Sequence, residues 1–454
     1  MGEGAAAVDL TTGSTWKNIW YMTWPMLFVM FFNFLVGITD IYVAGFLGPD
    51  IQAIVGFAGQ LYFFIIIMAD AISISTVIIL SRAVGAGRFK DAISPARQSL
   101  LFGGACALML TLPGLLLKDQ LISLAGFSGN VHEIAVDFFV IYVFALAPNY
   151  IVILSNAIFR AGGDVRLTLI AMFFVSLINV ALDFLLVFGL FSFNGIGYRG
   201  IALATAISML AGTIICVLLL RKSRWKDIFS GTWRVSTDLI RRIFILSWPA
   251  ALIHISWNTG NIIIYNILSH LQDVSITAMA ALTNGLRVEA ILYLPVFALN
   301  MAASVLTGHN LGAGSPERAE RIGWKISLSG VAIISLLAIP IFIWAGEISS
   351  PIAKDQHVLA ETVRYLRITM ISEPFMAISV ILAGCLMGAG DTKGTMFVIV
   401  GALWIIRLPL AYVLAVVAGY GALGVWLAMI ISMFVQGIAM TGRFRSGRWK
   451  VVTP

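Results

Sequence analysis

Twelve apolar runs follow one another along this chain, near residues 19–45, 51–83, 93–117, 131–161, 165–190, 198–220, 239–270, 274–311, 318–346, 358–389, 393–418 and 422–443. Each reaches the roughly 17–25 residues that a helix needs to cross a hydrocarbon core. Lipid offers backbone groups no hydrogen-bond partners, so spans of this length must be helical. The pattern predicts an all-α membrane protein with 12 transmembrane helices. One acid interrupts the first run: Asp40, late in the stretch Trp24–Leu47, which also carries Pro25 near its start. A carboxylate inside a span costs about 3 kcal/mol or more on insertion scales, so Asp40 is expected to face a cavity or a partner.

The longest polar, basic stretch between runs, Arg221–Asp238, separates six spans from six. It predicts an N-terminal lobe over 1–220 that holds the cation site, a cytoplasmic linker over 221–238 and a C-terminal lobe over 239–454. The halves resemble each other. Trp24-Pro25 recurs as Trp248-Pro249, Gly85-Ala86-Gly87 as Gly312-Ala313-Gly314, and Gly163-Asp164 as Gly390-Asp391. Gly200, Leu203, Ala204, Ile207 and Ser208 recur as Gly424, Leu427, Ala428, Ile431 and Ser432. Four matches in one order, at offsets of 224 or 227, indicate an internal duplication. Six spans per half keep both halves in one orientation, which gives parallel repeats related by a pseudo-twofold axis along the membrane normal, as in secondary transporters. The glycines fit helix stops and tight turns. No strand precedes them and no GK[ST] follows, so they do not read as a phosphate cradle.

Composition agrees with the pattern: 60% of residues are hydrophobic and 11% charged. The net charge of +7 records topology rather than nucleic-acid binding. The N-terminus, the even loops and the C-terminus hold 22 of the 29 Lys and Arg residues, the odd loops and adjoining helix ends five. That bias places both termini in the cytoplasm. Cys106, Cys216 and Cys385 lie in apolar spans without metal or disulfide spacing. No cleavable signal peptide is apparent, so the first span is expected to direct insertion. No His/Glu metal spacing or facing Ser–His pair suggests an enzyme, the loops are too short for a receptor domain, and no cofactor is expected.

Taken in order, Trp-Pro early in the first span, Asp40 late in it, SRAVGAGR, NAIFRAGGD, INVALDFLLVFG, GIALATAIS, SWPA, GHNLGAG, CLMGAGDTK and GALGVWLAMIIS resemble the multidrug and toxic compound extrusion (MATE) transporters. The resemblance covers roughly residues 15–445, and within the family the chain looks more like the DinF-like branch. That branch has an N-lobe cation site onto which Asp40, Asn179, Asp183 and Thr205 map. Asn156 maps onto a polar position of the same network, and Pro25 onto a hinge. The resemblance implies H⁺ or Na⁺ as the coupling ion, the four oxygen-bearing residues being the metal ligands if it is Na⁺.

Helix rise tests the match independently. From a cytoplasmic start near Trp20, Asp40 lies roughly 30 Å along the first span, Asp183 roughly 24 Å and Asn179 roughly 18 Å along the fifth. Thr205 follows the outer end of the sixth span, so the four share a depth, and Asn179 and Asp183, four apart, share a helix face. Two nearby carboxylates repel unless a proton or cation sits between them. At the repeat offsets the second half has Ile264, Ile406, Leu410 and Met429 in their places, so the first half reads as specialised for the ion. Further charges within spans, Arg287, Glu289, Arg407, Asp70 and Glu373, are candidates for gating or substrate binding, or for mutual neutralisation.

The expected function is secondary active multidrug efflux across the cell (inner) membrane, exchanging H⁺ or Na⁺ for amphipathic, often cationic, organic substrates by alternating access. A flippase for lipid-linked saccharides or lipids, of a related helix plan, is the alternative. Its cavity would be more basic. Small-molecule substrates and the bilayer are the expected partners, nucleic acid is not, and a single chain suffices as the functional unit.

Overall fold

The computed structural model describes residues 9–190, 193–230, 233–271 and 274–452. Among the described residues eleven helices are long and apolar enough to cross a membrane, and a bent pair completes a twelfth span. In chain order they are α1 (Thr15–Leu47), α2 (Pro49–Gly85), α3 (Phe89–Leu116), the bent pair α4 (Gly129–Phe144) and α5 (Leu146–Gly162), α6 (Val165–Phe188) and α7 (Tyr198–Lys222). Then follow α8 (Thr237–Ser269), α9 (Ser275–Gly312), α10 (Pro316–Ile343), the pair α11 (Gln356–Met370) and α12 (Glu373–Gly388), α13 (Thr392–Val417) and α14 (Ala422–Arg445). A two-residue antiparallel pairing of Gly189–Leu190 with Phe193–Asn194 turns the chain between α6 and α7. The predicted all-α, twelve-span membrane fold is therefore the observed one.

The repeated glycines end helices as the pattern requires. Gly87, Gly163, Gly314 and Gly390 have φ of 73°, 83°, 69° and 89°, a region that costs glycine nothing. At each, the next amide reaches back five residues, as from Asp164 to the Phe159 carbonyl (2.9 Å) and from Asp391 to Leu386 (2.9 Å). These are the closures that satisfy the last carbonyls of α2, α5, α9 and α12.

The chain divides into two compact units, Trp24–Trp248 with the residues up to Leu10, and Thr11–Thr23 with Pro249–Pro454. The expected linker, 221–238, does not mark the division. Its turn Arg224–Phe229 folds back on the first unit, where Trp225 is fully buried against Phe89 and Arg97 donates to the carbonyls of Asp227 (3.0 Å) and Ile228 (2.8 Å). The division falls instead inside α1 and α8, at the repeated Trp-Pro pairs. The opening turns of α1 belong with α10 in the second unit: Lys325 donates to Thr15 Oγ1 (2.7 Å), and Arg318 to the carbonyls of Thr12 and Gly13. The opening turns of α8 belong to the first unit, where Ser247 Oγ donates to Ser75 Oγ (2.9 Å). Pro25 thus stands at a point where α1 passes from one unit to the other.

The first unit's core gathers Val43, Ala44, Ile54, Val55, Tyr62, Phe138, Phe139, Tyr142 and Tyr150 from α1, α2, α4 and α5. The bend of 44° between α4 and α5 falls at Ala145, and the second unit repeats the break between α11 and α12, at Ile371–Ser372. In both units the break brings a polar residue into the interior just after it, Asn149 in one and Glu373 in the other.

Candidate functional site

In the first unit, α1, α6 and α7 bring Asp40, Asn179, Asp183 and Thr205 together. All four are buried, Asn179 and Asp183 completely. Asn179 Nδ2 donates to Thr205 Oγ1 (3.4 Å), and the Asp40 and Asp183 carboxyls lie within hydrogen-bonding reach of each other. Two carboxyls can share such a bond only if one carries a proton. Both oxygens of Asp183, Oδ1 of Asp40 and Oδ1 of Asn179 otherwise have no donor. Buried acceptors without donors are costly, more so when charged. The pocket's chemistry therefore calls for a proton or a cation, and the donor-free oxygens are of the hard type that Na⁺ accepts.

Around these four stand two tyrosines: Tyr62, one of the aromatics the sequence offers as cavity lining for organic cations, and Tyr142, which the sequence does not mark. Tyr142 of α4 lies close to Thr205, and its ring packs on Tyr62 of α2 with centroids 4.9 Å apart. Asn149 Nδ2 donates to the Tyr62 hydroxyl (3.0 Å). Both rings are buried in the first unit's core, Tyr62 on α2 and Tyr142 on α4.

Asn156 of α5 is buried, with its side-chain oxygen lacking a donor. Its carbonyl accepts from Thr168, in the first turn of α6 (3.4 Å). By helix rise it stands about 12 Å from the depth of Asn179, toward the turn at Gly163. It is a neighbour of the site's path rather than a member of its first contacts.

The other flagged charges separate. Arg287 is exposed on α9, while Glu289, two residues on, is buried on another face. Glu289, Glu373 and Arg407 line one cavity of about 160 Å³ in the second unit, with Trp257, Tyr293 and Thr369 among its other walls. Tyr293 donates to Glu289 (3.3 Å). No ion pair joins Arg407 to Glu289 among the described residues. Arg407 donates instead to Ser432 Oγ (2.8 Å) and lies over the Trp257 ring at 5.2 Å. The π-helical turn Ala402–Arg407 in α13 carries it there. The residues at the repeat offsets are apolar, yet the same helices of the second unit enclose polar groups of their own, displaced by a few positions. Asp70 is half-buried on α2, within electrostatic reach of Arg160, whose guanidinium donates to Ser73 Oγ (3.0 Å). Among the described residues no three His, Cys, Asp or Glu side chains gather as metal ligands.

Known proteins place the chain. A probable multidrug resistance protein NorM of Thermotoga maritima is 25% identical over 92% of this chain and 89% of its own. A counterpart in Bradyrhizobium diazoefficiens is 26% identical over 93% and 91%, and the uncharacterized transporter YisQ of Bacillus subtilis 23% over 95% and 94%. A crystal structure of a MATE protein in the bent conformation superposes with a TM-score of 0.90 at 20% identity, covering 98% of this chain and 99% of that one. An outward-facing multidrug resistance MATE family transporter does so with 0.90 at 20%, over 98% and 100%. The family model MatE matches twice, over residues 25–185 and 249–413, once in each repeat, and the chain belongs to the MatE family of transporters.

Proposed function

We propose that the protein is a secondary active exporter of amphipathic organic molecules, often cationic, driven by exchange for a monovalent cation. The observation that carries this is the pair of buried carboxyls, Asp40 and Asp183, meeting without donors beside Asn179 and Thr205. An empty, doubly ionised pair in that place is costly, so the unit is expected to adopt one arrangement with the cation bound and another without it. If the substrate favours the second arrangement, each ligand weakens the other, which is the thermodynamic content of exchange. Pro25 removes a backbone hydrogen bond inside α1 at the point where the helix changes units, and acts as the hinge. The names of similar proteins from Thermotoga and Bradyrhizobium support multidrug resistance as the biological role. The reading includes the inner membrane as the site of export and, from the excess of Lys and Arg in the even loops, both termini in the cytoplasm. The cavity of the second unit sets two carboxylates against one guanidinium, which suits a cationic guest better than the anionic head of a lipid-linked saccharide.

The test is reconstitution in proteoliposomes loaded with a fluorescent organic cation, with pH and Na⁺ gradients imposed separately. Wild-type protein exports under at least one gradient. Asp40→Asn and Asp183→Asn proteins, inserted normally, lose at least tenfold of the gradient-driven rate. Wild-type rates in both variants, or wild-type transport indifferent to both gradients, would sink the proposal.

A further inference from the structure

The exchange mechanism makes no use of the three charges around the cavity of the second unit. They belong to one repeat alone: at the 227 offset Glu289, Glu373 and Arg407 answer to Tyr62, Leu146 and Val180. Their exposures are 2%, 4% and 4%, yet no ion pair joins any two of them among the described residues. Glu289 accepts one hydrogen bond, from Tyr293 (3.3 Å), and its Oε1 has no donor; Glu373 Oε2 has none either. The Thr369 hydroxyl in the same wall is also without a partner. Buried charges held apart in this way are costly unless something in the cavity pairs with them.

Arg407 is held by one edge only. Its Nε donates to Ser432 Oγ (2.8 Å) and its guanidinium lies over the Trp257 ring at 5.2 Å. Neither terminal nitrogen has a hydrogen-bond partner among the described residues. Those two nitrogens form the fork that takes a carboxylate through two parallel bonds. The turn that delivers them, Ala402–Arg407, is π-helical, a rare geometry that recurs at functional sites. The cavity is about 160 Å³. Sites for drug-sized ligands run from about 300 to 1,000 Å³, so the guest here is a compact one. Two carboxylates and one guanidinium leave the wall with one net negative charge, which a guest carrying two amines and one carboxylate neutralises.

We propose that this cavity is a binding site for a compact basic amino acid, its carboxylate on the terminal nitrogens of Arg407 and its amines on Glu289 and Glu373. The carboxylate gives Arg407 the acceptor it lacks, and the amines give donors to Glu289 Oε1 and Glu373 Oε2. A simple diamine satisfies the two acids and leaves the guanidinium unpaired. A neutral amino acid has one amine for two carboxylates, and an acidic one brings a further negative charge to them. The wall therefore selects both signs together, in the proportion of two amines to one carboxylate. The site lies wholly in the second unit and is independent of which ion the Asp40–Asp183 pair takes.

The experiment is isothermal titration calorimetry of the full chain in detergent with four probes: L-lysine, cadaverine (lysine without its carboxylate), L-norleucine (lysine without its side-chain amine) and L-glutamate. Lysine is expected to bind saturably, cadaverine and norleucine each at least tenfold more weakly, and glutamate not at all. Arg407→Gln should lose the preference for lysine over cadaverine, bringing the two within threefold, and Glu373→Gln the preference for lysine over norleucine. Arg287→Gln, which removes an exposed arginine of α9 outside the cavity, should keep wild-type affinity within twofold. The inference is overturned if lysine does not bind, if cadaverine or norleucine matches it, or if Arg407→Gln keeps the tenfold preference. Should Arg407→Gln fail to fold, the four probes on wild-type protein decide alone. Absent lysine binding in a protein that still exports an organic cation under an ion gradient ends this inference and leaves the exchange mechanism standing. Lysine binding in a protein whose export ignores both gradients does the reverse.

Discussion

At Gly285 the Tyr365 ring lies where a β-carbon would stand: a methyl there would overlap Cδ1 and Cε1. Retreat of the ring would have to displace the buried Trp426, against which it packs edge-on with centroids 4.8 Å apart. Its hydroxyl is close to Glu289, four residues along α9 from the glycine. Gly285→Ala should therefore displace Tyr365 and disturb the cavity of the second unit. Overpacking of this kind costs about 1–3 kcal/mol. The expected outcome is a lower thermal midpoint in detergent, largely recovered when Tyr365→Leu is added. An unchanged midpoint in the single variant would show that the ring can move. Residues differed in how readable they were before folding. Asp40 and Asp183 stood out because an acid in a span has no cheap explanation, and Tyr62 only as one of several aromatics that could line a cavity, whereas Tyr142 and Gly285 were lost among many aromatics and glycines. Their roles depend on which helix face meets which, and no periodicity states that.

The turns between helices show the repeat more closely than the helices do. Asp164 is bonded to Arg224 (3.0 Å) and to Trp225 Nε1 (3.1 Å), and its counterpart Asp391 accepts two bonds of 2.7 Å from Arg443. After the last helix of each repeat, Arg224-Trp225-Lys226 and Arg448-Trp449-Lys450 fold as short tight turns whose tryptophans are fully buried. That echo lies outside the apolar runs, which is why patterning by span passed over it. Burial holds the Asp164 carboxyl above its ordinary 3.8, with Arg224 and the hydrogen bonds from Arg224 and Trp225 opposing the rise. A carboxyl raised on folding takes up a proton, so it favours the folded state at low pH, and that contribution is lost as pH climbs from 3.8 through the raised value. Thermal midpoints of wild type and Asp164→Asn, compared across that window, should differ most in wild type's favour on the acid side. The difference should shrink as pH rises and then level off. A difference independent of pH would show that Arg224 cancels the cost of burial.

For the molecule as a whole, the order of spans was legible because each apolar run had to be a helix and each had to cross, and twelve runs became twelve spans. What stayed hidden was the division into units. A polar linker is the usual sign of a boundary, and 221–238 has that composition, yet its arginines and Trp225 are held by the first unit and the division falls inside helices at Trp24-Pro25 and Trp248-Pro249. Orientation rests on charge, and the fold gives that inference a direct test. The turn at Asp164, the turn Arg224–Phe229 and the start of α3 meet one another through Arg97, Arg224 and Trp225, so these basic segments share one face of the first unit. The start of α4 lies one crossing of α3 away from that face. If the basic face is cytoplasmic, a membrane-impermeant maleimide added to intact cells should label a cysteine at Ser128 and spare one at Ser230, in a protein whose Cys106, Cys216 and Cys385 have been replaced by serine. Opening the cells should expose the second site to the reagent. Labelling of Ser230→Cys in intact cells, with Ser128→Cys protected, would reverse the orientation. The gradients that drive export would then have to be read in the opposite sense, because the Asp40–Asp183 pair lies nearest the end of α1 that follows the crossing from the basic side.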